Sequence, residues 1–334
     1  MTCALPVTVP VVDFSACSLE RDPERVTAEE LRSLSAQLHD AFTRVGFVFL
    51  QNTGISQSEV QRVMGVSRHF FSLSEEQKSL YSRGRYEENA NHGWVSLQAE
   101  RLNPNRPGDL KESFNTTLLS PSVLWPTGGA LSDFQQLKSS FFRRCSALGL
   151  QVLRLMPLSL GLEEETFVRE HQRIGAPGNS TTLRSLFYPP IDPDSAKPGQ
   201  LRCGEHSDYG SITLLFQSSP GIQVPNSASG IQVPNSASGI QVRSVSGQFL
   251  QVPLVPGAVL VNIADLMQRW TSDAFVSAVH RVLLPPAGDA SERQSLAFFM
   301  QPDDSAVIGC CDGSDKYPPI TSEQYLRERY ADTY

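Results

Sequence analysis

Apolar residues recur through the first half of the chain at the three-and-four spacing of a helix buried on one face. Leu31, Leu34, Leu38, Ala41 and Val45 form one such stripe, and Thr27 with Glu30 ahead of it has capping-box spacing, which predicts a helix over about residues 27–45. Gly46 closes it, and Phe47-Val48-Phe49-Leu50 reads as a buried strand. Ser56 with Glu59 opens a second helix carrying Val60, Val63, Met64, Phe70 and Phe71, and Ser74 with Gln77 starts another turn. Ahead of these, residues 7–14 look like a short strand ended by Asp13 and Ser15. Residues 79–130 are polar and rich in Asn, Gly and Pro, as loops and short strands are. Phe134, Leu137, Phe141, Leu148, Val152 and Leu155 then mark a long amphipathic helix, the expected spine of this half, and its stripe is core packing.

After about residue 180 the pattern changes to short strand-like runs separated by Gly and Pro: L-R-S-L-F-Y-P-P, S-I-T-L-L-F-Q, A-V-L-V-N-I, A-V-H-R-V-L-L and R-Q-S-L-A-F-F-M. Such runs predict a sandwich or barrel. A helix over 264–270 interrupts them and a last one starts at Thr321-Ser322-Glu323, so an α+β chain is expected, helices first and an all-β half second. The nonamer G-I-Q-V-P-N-S-A-S fills 221–229 and again 230–238, then restarts at Gly239. A nine-residue period is too short for a helical solenoid unit, so it reads as a loop expansion in a β-hairpin, with one copy paired against the strand at 211–217.

Composition narrows the partners. At 334 residues the chain can bury a sizeable core, and the net charge of -7 comes without a basic run, which argues against nucleic acid and anionic membranes. No run of eighteen apolar residues occurs, and the N-terminus lacks a basic segment followed by an apolar one. The six cysteines show no C-x-x-C, and adjacent Cys310 and Cys311 are poorly placed for a disulfide or a zinc site. They read as reduced thiols of a cytoplasmic protein that is expected to act as a monomer on a small molecule.

Candidate chemistry lies in C-G-E-H-S-D-Y-G-S-I-T-L-L-F-Q at 203–217. Residues two apart on a strand share a face, so His206 and Asp208 would supply two thirds of the 2-His-1-carboxylate triad that binds Fe(II). A solvated strand end explains the pair equally well. His280, in A-V-H-R-V-L-L, is the only His downstream and could instead be a core histidine. Arg293 and Ser295, two apart on a later strand, have the makings of a carboxylate clamp, though a surface ion pair would also account for Arg293.

Together these segments resemble the isopenicillin N synthase-like family of Fe(II)/2-oxoglutarate-dependent oxygenases. The likeness runs over nearly the whole chain: V-P-V-V-D-F, A-F-T-R-V-G-F-V-F-L-Q-N-T-G-I, R-H-F-F-S-L-S-E-E-Q-K and D-L-K-E-S-F, then H-S-D-Y-G-S-I-T-L-L-F-Q, V-P-G-A-V-L-V-N-I-A-D-L-M-Q-R-W-T, V-S-A-V-H-R-V and R-Q-S-L-A-F-F. It implies a double-stranded β-helix (jelly-roll) core with an N-terminal helical region and a C-terminal helix. The helical domain would cover 1–175 and the oxygenase domain 176–334, with the nonamers inserted at 221–238. It further implies His206, Asp208 and His280 as iron ligands, Arg293 and Ser295 on the far carboxylate of 2-oxoglutarate, and Tyr188 beside them. Without the extra nonamers the gap from Asp208 to His280 shortens from 72 to 54, the family's usual spacing.

Three positions depart from the family's pattern: Leu186 where Asn is often found, Thr53 where His is common, and an Arg about three residues farther from His280 than usual. The implied reaction uses O2 and 2-oxoglutarate, with ascorbate as an optional reductant, releases succinate and CO2, and hydroxylates, desaturates or cyclises a small molecule. Two alternatives stand beside it: an oxidase of the same family that needs no 2-oxoglutarate, and an inactive metabolite-binding protein. Substrate identity is not legible.

Overall fold

The computed structural model describes residues 8–331 apart from 86–90, 118, 120–122, 219–239, 244–246, 248, 287–288 and 290. Strand β1 (Val11–Asp13) leads to α1 (Ala28–Arg44), which begins where the capping box places it: Glu30 accepts from the Thr27 amide at 2.8 Å and Thr27 accepts from the Glu30 amide. Gly46 then turns the chain into β2 (Phe47–Gln51) at φ 76°, and a Cβ there would lie 2.2 Å from the Val276 carbonyl oxygen. Only glycine fits both constraints. The same reciprocal caps at Ser56/Glu59 and Ser74/Gln77 open α2 (Gln57–Phe71) and α3 (Glu75–Ser79). Short strands β3 (Gly93–Val95) and β4 (Glu112–Thr116) cross the polar stretch, and the predicted spine is α4 (Phe134–Leu158).

The strand-rich half follows as β5 (Thr182–Tyr188), β6 (Cys203–His206), β7 (Ile212–Gln217), β8 (Ile240–Arg243), β9 (Phe249–Gln251) and β10 (Val259–Ile263). Then come α5 (Asp265–Trp270), β11 (His280–Val282), β12 (Arg293–Phe299), the small pair β13 (Val307–Ile308) and β14 (Ile320–Thr321), and α6 (Ser322–Ala331). The major sheet has the order β1-β2-β10-β7-β12-β5-β4-β3 and the minor sheet β6-β11-β8-β9. Alternation along the strands explains the layers. Leu183, Ile212, Leu214, Phe216, Leu296 and Phe298 point outward into the helical core with α1, α2 and α4, while Leu186, Tyr188 and Ala297 point inward to meet Cys203 and Val282 of the minor sheet. The result is the expected jelly-roll core with helices at both ends of the chain.

Two details differ from the pattern-based expectation. The first half supplies strands as well as helices to the major sheet, because β2 is buried on both faces and finds its antiparallel partner in β10. The third nonamer copy forms β8, yet β8 pairs with β9 and β11 and not with β7, whose two edges are taken by β10 and β12. The first two copies lie outside the described residues. No helix among the described residues is long and apolar enough to cross a membrane.

Candidate active site

His206 ends β6 and His280 begins β11, and the register pairs them directly across the minor sheet with ring centroids 4.2 Å apart. Asp208 does not continue the strand. The chain leaves β6 after His206, and the turn that follows is pinned by α5, whose first amides donate to its carbonyls: Asp265 to Asp208 at 2.8 Å, Leu266 to Tyr209 at 3.1 Å and Met267 to Gly210 at 3.2 Å. A helix N-terminus has amides without helical partners, and here the turn uses them. Gly210 lets the turn approach β12, since a Cβ there would fall 2.2 Å from the Met300 carbonyl oxygen.

Among the described residues, His206, Asp208 and His280 are the group whose ligand atoms all lie within 4.8 Å of one another. Each His Nε2 is 3.8 Å from Asp208 Oδ1. The opposite ring nitrogens face carbonyls, Nδ1 of His206 at 2.8 Å from Gly204 O and Nδ1 of His280 at 3.2 Å from Ala278 O. A carbonyl only accepts, so each Nδ1 carries a hydrogen and each ring turns its Nε2 toward Asp208. Phe47 packs edge-on to His280 at 5.5 Å, and the Asn262 amide donates to Asp208 Oδ2 at 2.7 Å.

The charge states suit a cation. Burial, then the neighbouring His206, pushes the His280 imidazole down to about 4, so it is neutral at physiological pH. Burial alone would push Asp208 up, but His280, His206 and the Asn262 amide outweigh it and hold the carboxyl below its ordinary range. Two imidazole nitrogens and one carboxylate oxygen converging on one point fit Fe(II), with positions to spare for other ligands.

On the major sheet Arg293 pairs in register with Tyr188, and Ser295 with Leu186. The Arg293 guanidinium lies 4.9 Å from the Tyr188 ring centroid. Its Nη2 donates to Gln217 Oε1 at 2.8 Å, but buried Nη1 has no hydrogen-bond partner among the described residues. Tyr188 and Ser295 are buried, and burial pushes the Tyr188 phenol up. A half-buried cation with an open, buried donor, beside the Tyr188 ring and on the same strand face as Ser295, fits a carboxylate. Leu186, at the departing position, offers no polar group and packs with Tyr188 and Ala297.

Beside the metal ligands lies a cavity lined by His206 and Asp208, by polar Thr182, Arg184 and Gln301, and by the rings of Tyr209, Phe299 and Tyr330. Tyr330 comes from α6, which is tied to the metal turn through Arg329 to Asp265 at 3.0 Å and Ser207 to Asp265 at 2.9 Å. Sequence reasoning misses Asn262, Arg184 and Tyr330. Asn262 alone carries a signal, a single polar residue in the apolar run V-L-V-N-I. The remaining histidines lie elsewhere: His39 hydrogen-bonds Ser159, His171 bridges Phe167 O and Ser211, His92 packs on Trp125, and His69 is exposed on α2.

Comparison with known proteins agrees with this geometry. Residues 9–128 match the family described as non-haem dioxygenase in morphine synthesis N-terminal, and 179–302 match the 2OG-Fe(II) oxygenase superfamily. The chain is 30% identical to a proline hydroxylase, buaE, of Petromyces alliaceus over 89% of this chain and 92% of that protein. It is 31% identical to the UPF0676 protein C1494.01 of Schizosaccharomyces pombe, covering 88% and 82%. A full-length Neurospora crassa protein, solved by crystallography in complex with alpha-KG and thymine, superposes with a TM-score of 0.79 at 28% identity, covering 97% of this chain and 96% of that one.

Proposed function

Because the chain belongs to the Fe(II)/2-oxoglutarate-dependent oxygenase family, we propose that His206, Asp208 and His280 are its iron ligands and that Arg293, Ser295 and Tyr188 seat 2-oxoglutarate. The protein is a non-haem dioxygenase that uses O2 and 2-oxoglutarate to oxidise a small molecule and releases succinate and CO2. Bound iron supplies the redox chemistry that couples cosubstrate decarboxylation to substrate oxidation. The chain's own contribution is placement. The Gly204 and Ala278 carbonyls keep both imidazoles in one tautomer, Asn262 fixes the carboxylate, and Arg293 sets how far the cosubstrate's other end lies from the metal turn.

The cavity beside the ligands is small and partly polar, and Gln301 Oε1, buried without a partner, is an acceptor for a substrate N–H or O–H. Phe299, Tyr209 and Tyr330 give it an aromatic wall. Thymine in the Neurospora structure is a compact polar molecule, which supports a substrate of that size here. Residues 1–175 then serve as the helical domain and 176–334 as the oxygenase domain. Free thiols at Cys17, Cys145, Cys203, Cys310 and Cys311 support a cytoplasmic location.

The observation carrying the reading is the convergence of three ligand atoms within 4.8 Å, together with a half-buried arginine on the facing sheet that keeps an open, buried donor. Its test is anaerobic titration with Fe(II) and then 2-oxoglutarate. One iron per chain and a 2-oxoglutarate-dependent visible charge-transfer band are expected. Stoichiometric iron binding in His280→Ala would sink the ligand assignment.

A further inference from the structure

Arg202 immediately precedes β6, four residues before His206, and is among the most buried side chains in the protein, with 1% of its surface exposed. Its Nη2 donates to the Ser291 carbonyl at 2.7 Å, while its Nε is buried with no partner among the described residues. The guanidinium lies 6.0 Å from the centroid of the same Tyr188 ring that Arg293 approaches to 4.9 Å. Two guanidiniums therefore share one phenol, and each holds a buried N–H without an acceptor.

Other buried cations that face the same inter-sheet space have carboxylates. Lys111 pairs with Asp109 and with Glu100 at 3.0 Å, and Arg184 pairs with Glu100 at 2.8 Å. Among the described residues neither Arg202 nor Arg293 has such a partner; their hydrogen bonds go to the Ser291 carbonyl and the Gln217 amide oxygen. Burial and then Arg293 pull the Arg202 guanidinium below its ordinary value, opposed by Tyr188 and more weakly by Asp289. An arginine keeps its charge even so, and an uncompensated buried charge is costly unless an anion joins it. A carboxylate has two oxygens and about four acceptor directions, enough for both open N–H groups and the Tyr188 hydroxyl.

We propose that Arg202 is a second positioning residue for 2-oxoglutarate, completing with Arg293 a two-guanidinium seat around Tyr188 for the far carboxylate. The inference rests on the assignment of Arg293 above. It gives the metal strand a direct part in cosubstrate binding, because Arg202 and His206 bracket β6: a cosubstrate held by Arg202 is held by the same strand that carries the iron ligand.

The test is anaerobic calorimetry on the full chain loaded with Fe(II), using 2-oxoglutarate and 2-oxovalerate, in which a methyl replaces the far carboxylate. Arg202→Met is expected to weaken 2-oxoglutarate binding by roughly tenfold or more, the worth of a charge-assisted hydrogen bond, with 2-oxovalerate binding little changed. Arg202→Lys, which keeps the charge, is expected to fall between wild type and Arg202→Met, and it carries the same comparison if the Met variant does not fold. Equal losses for both ligands would make Arg202 merely structural and overturn the inference, as would unchanged 2-oxoglutarate affinity. Arg293→Met, run in parallel, separates the two claims. A loss there with none at Arg202 overturns only this inference, whereas no loss there removes the reading on which it rests.

Discussion

The metal end and the cationic end of the candidate site are finished to different degrees. At the metal end, each group behind a candidate ligand atom is committed: both Nδ1 atoms to carbonyls, Asp208 Oδ2 to Asn262, and the turn's carbonyls to α5. At the cationic end, Arg293 Nη1 and Arg202 Nε have nothing to donate to among the described residues. The contrast follows from what each end must bind. Metal coordination needs lone pairs aimed in advance, so every competing contact is spent on aiming them. An anion seat works by leaving donors open in a dry place, and its cost is met only when the anion arrives. His206 and His280 sit on the minor sheet, Arg202 just ahead of its strand β6 and Arg293 on the major sheet, so a cosubstrate touching all of them spans the jelly roll.

Removing a ligand at the aimed end should have the largest effect. Asp208→Ala and His280→Ala are expected to reduce iron content and turnover to background, measured as metal per folded chain and as 2-oxoglutarate consumed. Matching substitutions at His39, His69, His92 or His171 should leave iron in place. Next comes the open end. Arg293→Ala removes one partner of a buried charge pair, at about 3 to 5 kcal/mol, which is on the order of a hundredfold or more in 2-oxoglutarate affinity. Iron binding should survive, and a titration showing that both are lost together would erase the distinction between the ends.

Asn262→Leu tests the aiming itself, because it frees Asp208 Oδ2 without touching a ligand. A group behind a metal ligand is typically worth about ten- to a hundredfold in metal affinity or activity. Iron affinity by competition with a chromophoric chelator, with circular dichroism as the check on folding, should show a loss in that range and a smaller one than His280→Ala. An unchanged affinity would mean that the turn held by α5 aims Asp208 unaided.

What can be read from the sequence divides along the same line. Capping boxes at Thr27, Ser56 and Ser74 act over three residues and are legible, as are the apolar stripes of α1, α2 and α4. His206, Asp208 and His280 are legible only through resemblance, since nothing local says that residues 74 positions apart pair across a sheet. Strand spacing, the only local rule at hand, puts Asp208 on the strand; the α5 amides that hold its turn come from more than fifty residues downstream. The nonamer copy is assigned to the wrong neighbour for a similar reason. Alternation shows that a segment is a strand but not which sheet receives it, and β8 crosses to the minor sheet. Arg202 gives no signal because an arginine before a strand is ordinary until its burial is known.

Lys138 asks whether any buried cation without a carboxylate counts as an anion seat. It is fully buried on α4, on the far side of β5 from the cavity, and donates to the Ser67 hydroxyl at 2.8 Å and to the Ser185 hydroxyl, with the Phe134 ring at 5.2 Å. Unlike an arginine, a lysine can shed its proton, and burial pushes this one down to about 7. Below about pH 7 folded and unfolded chains both carry the proton, so the burial cost is felt in full. Between about 7 and the ordinary value of 10.5 the unfolded chain holds a proton that the folded chain has released, and stability rises with pH. Lys138→Met should therefore stabilise the protein by about 2 to 4 kcal/mol at or below neutral pH, allowing for the lost hydroxyl contacts, with the gain shrinking as pH climbs toward 10. Iron and 2-oxoglutarate affinities should not move. Denaturant melts at several pH values check the first part and anaerobic titration the second. A pH-independent difference would mean that Lys138 stays charged, and a drop in 2-oxoglutarate affinity would place it in the same electrostatic unit as Arg202 and Arg293, ending the separation between the cavity and the helical side of the sheet.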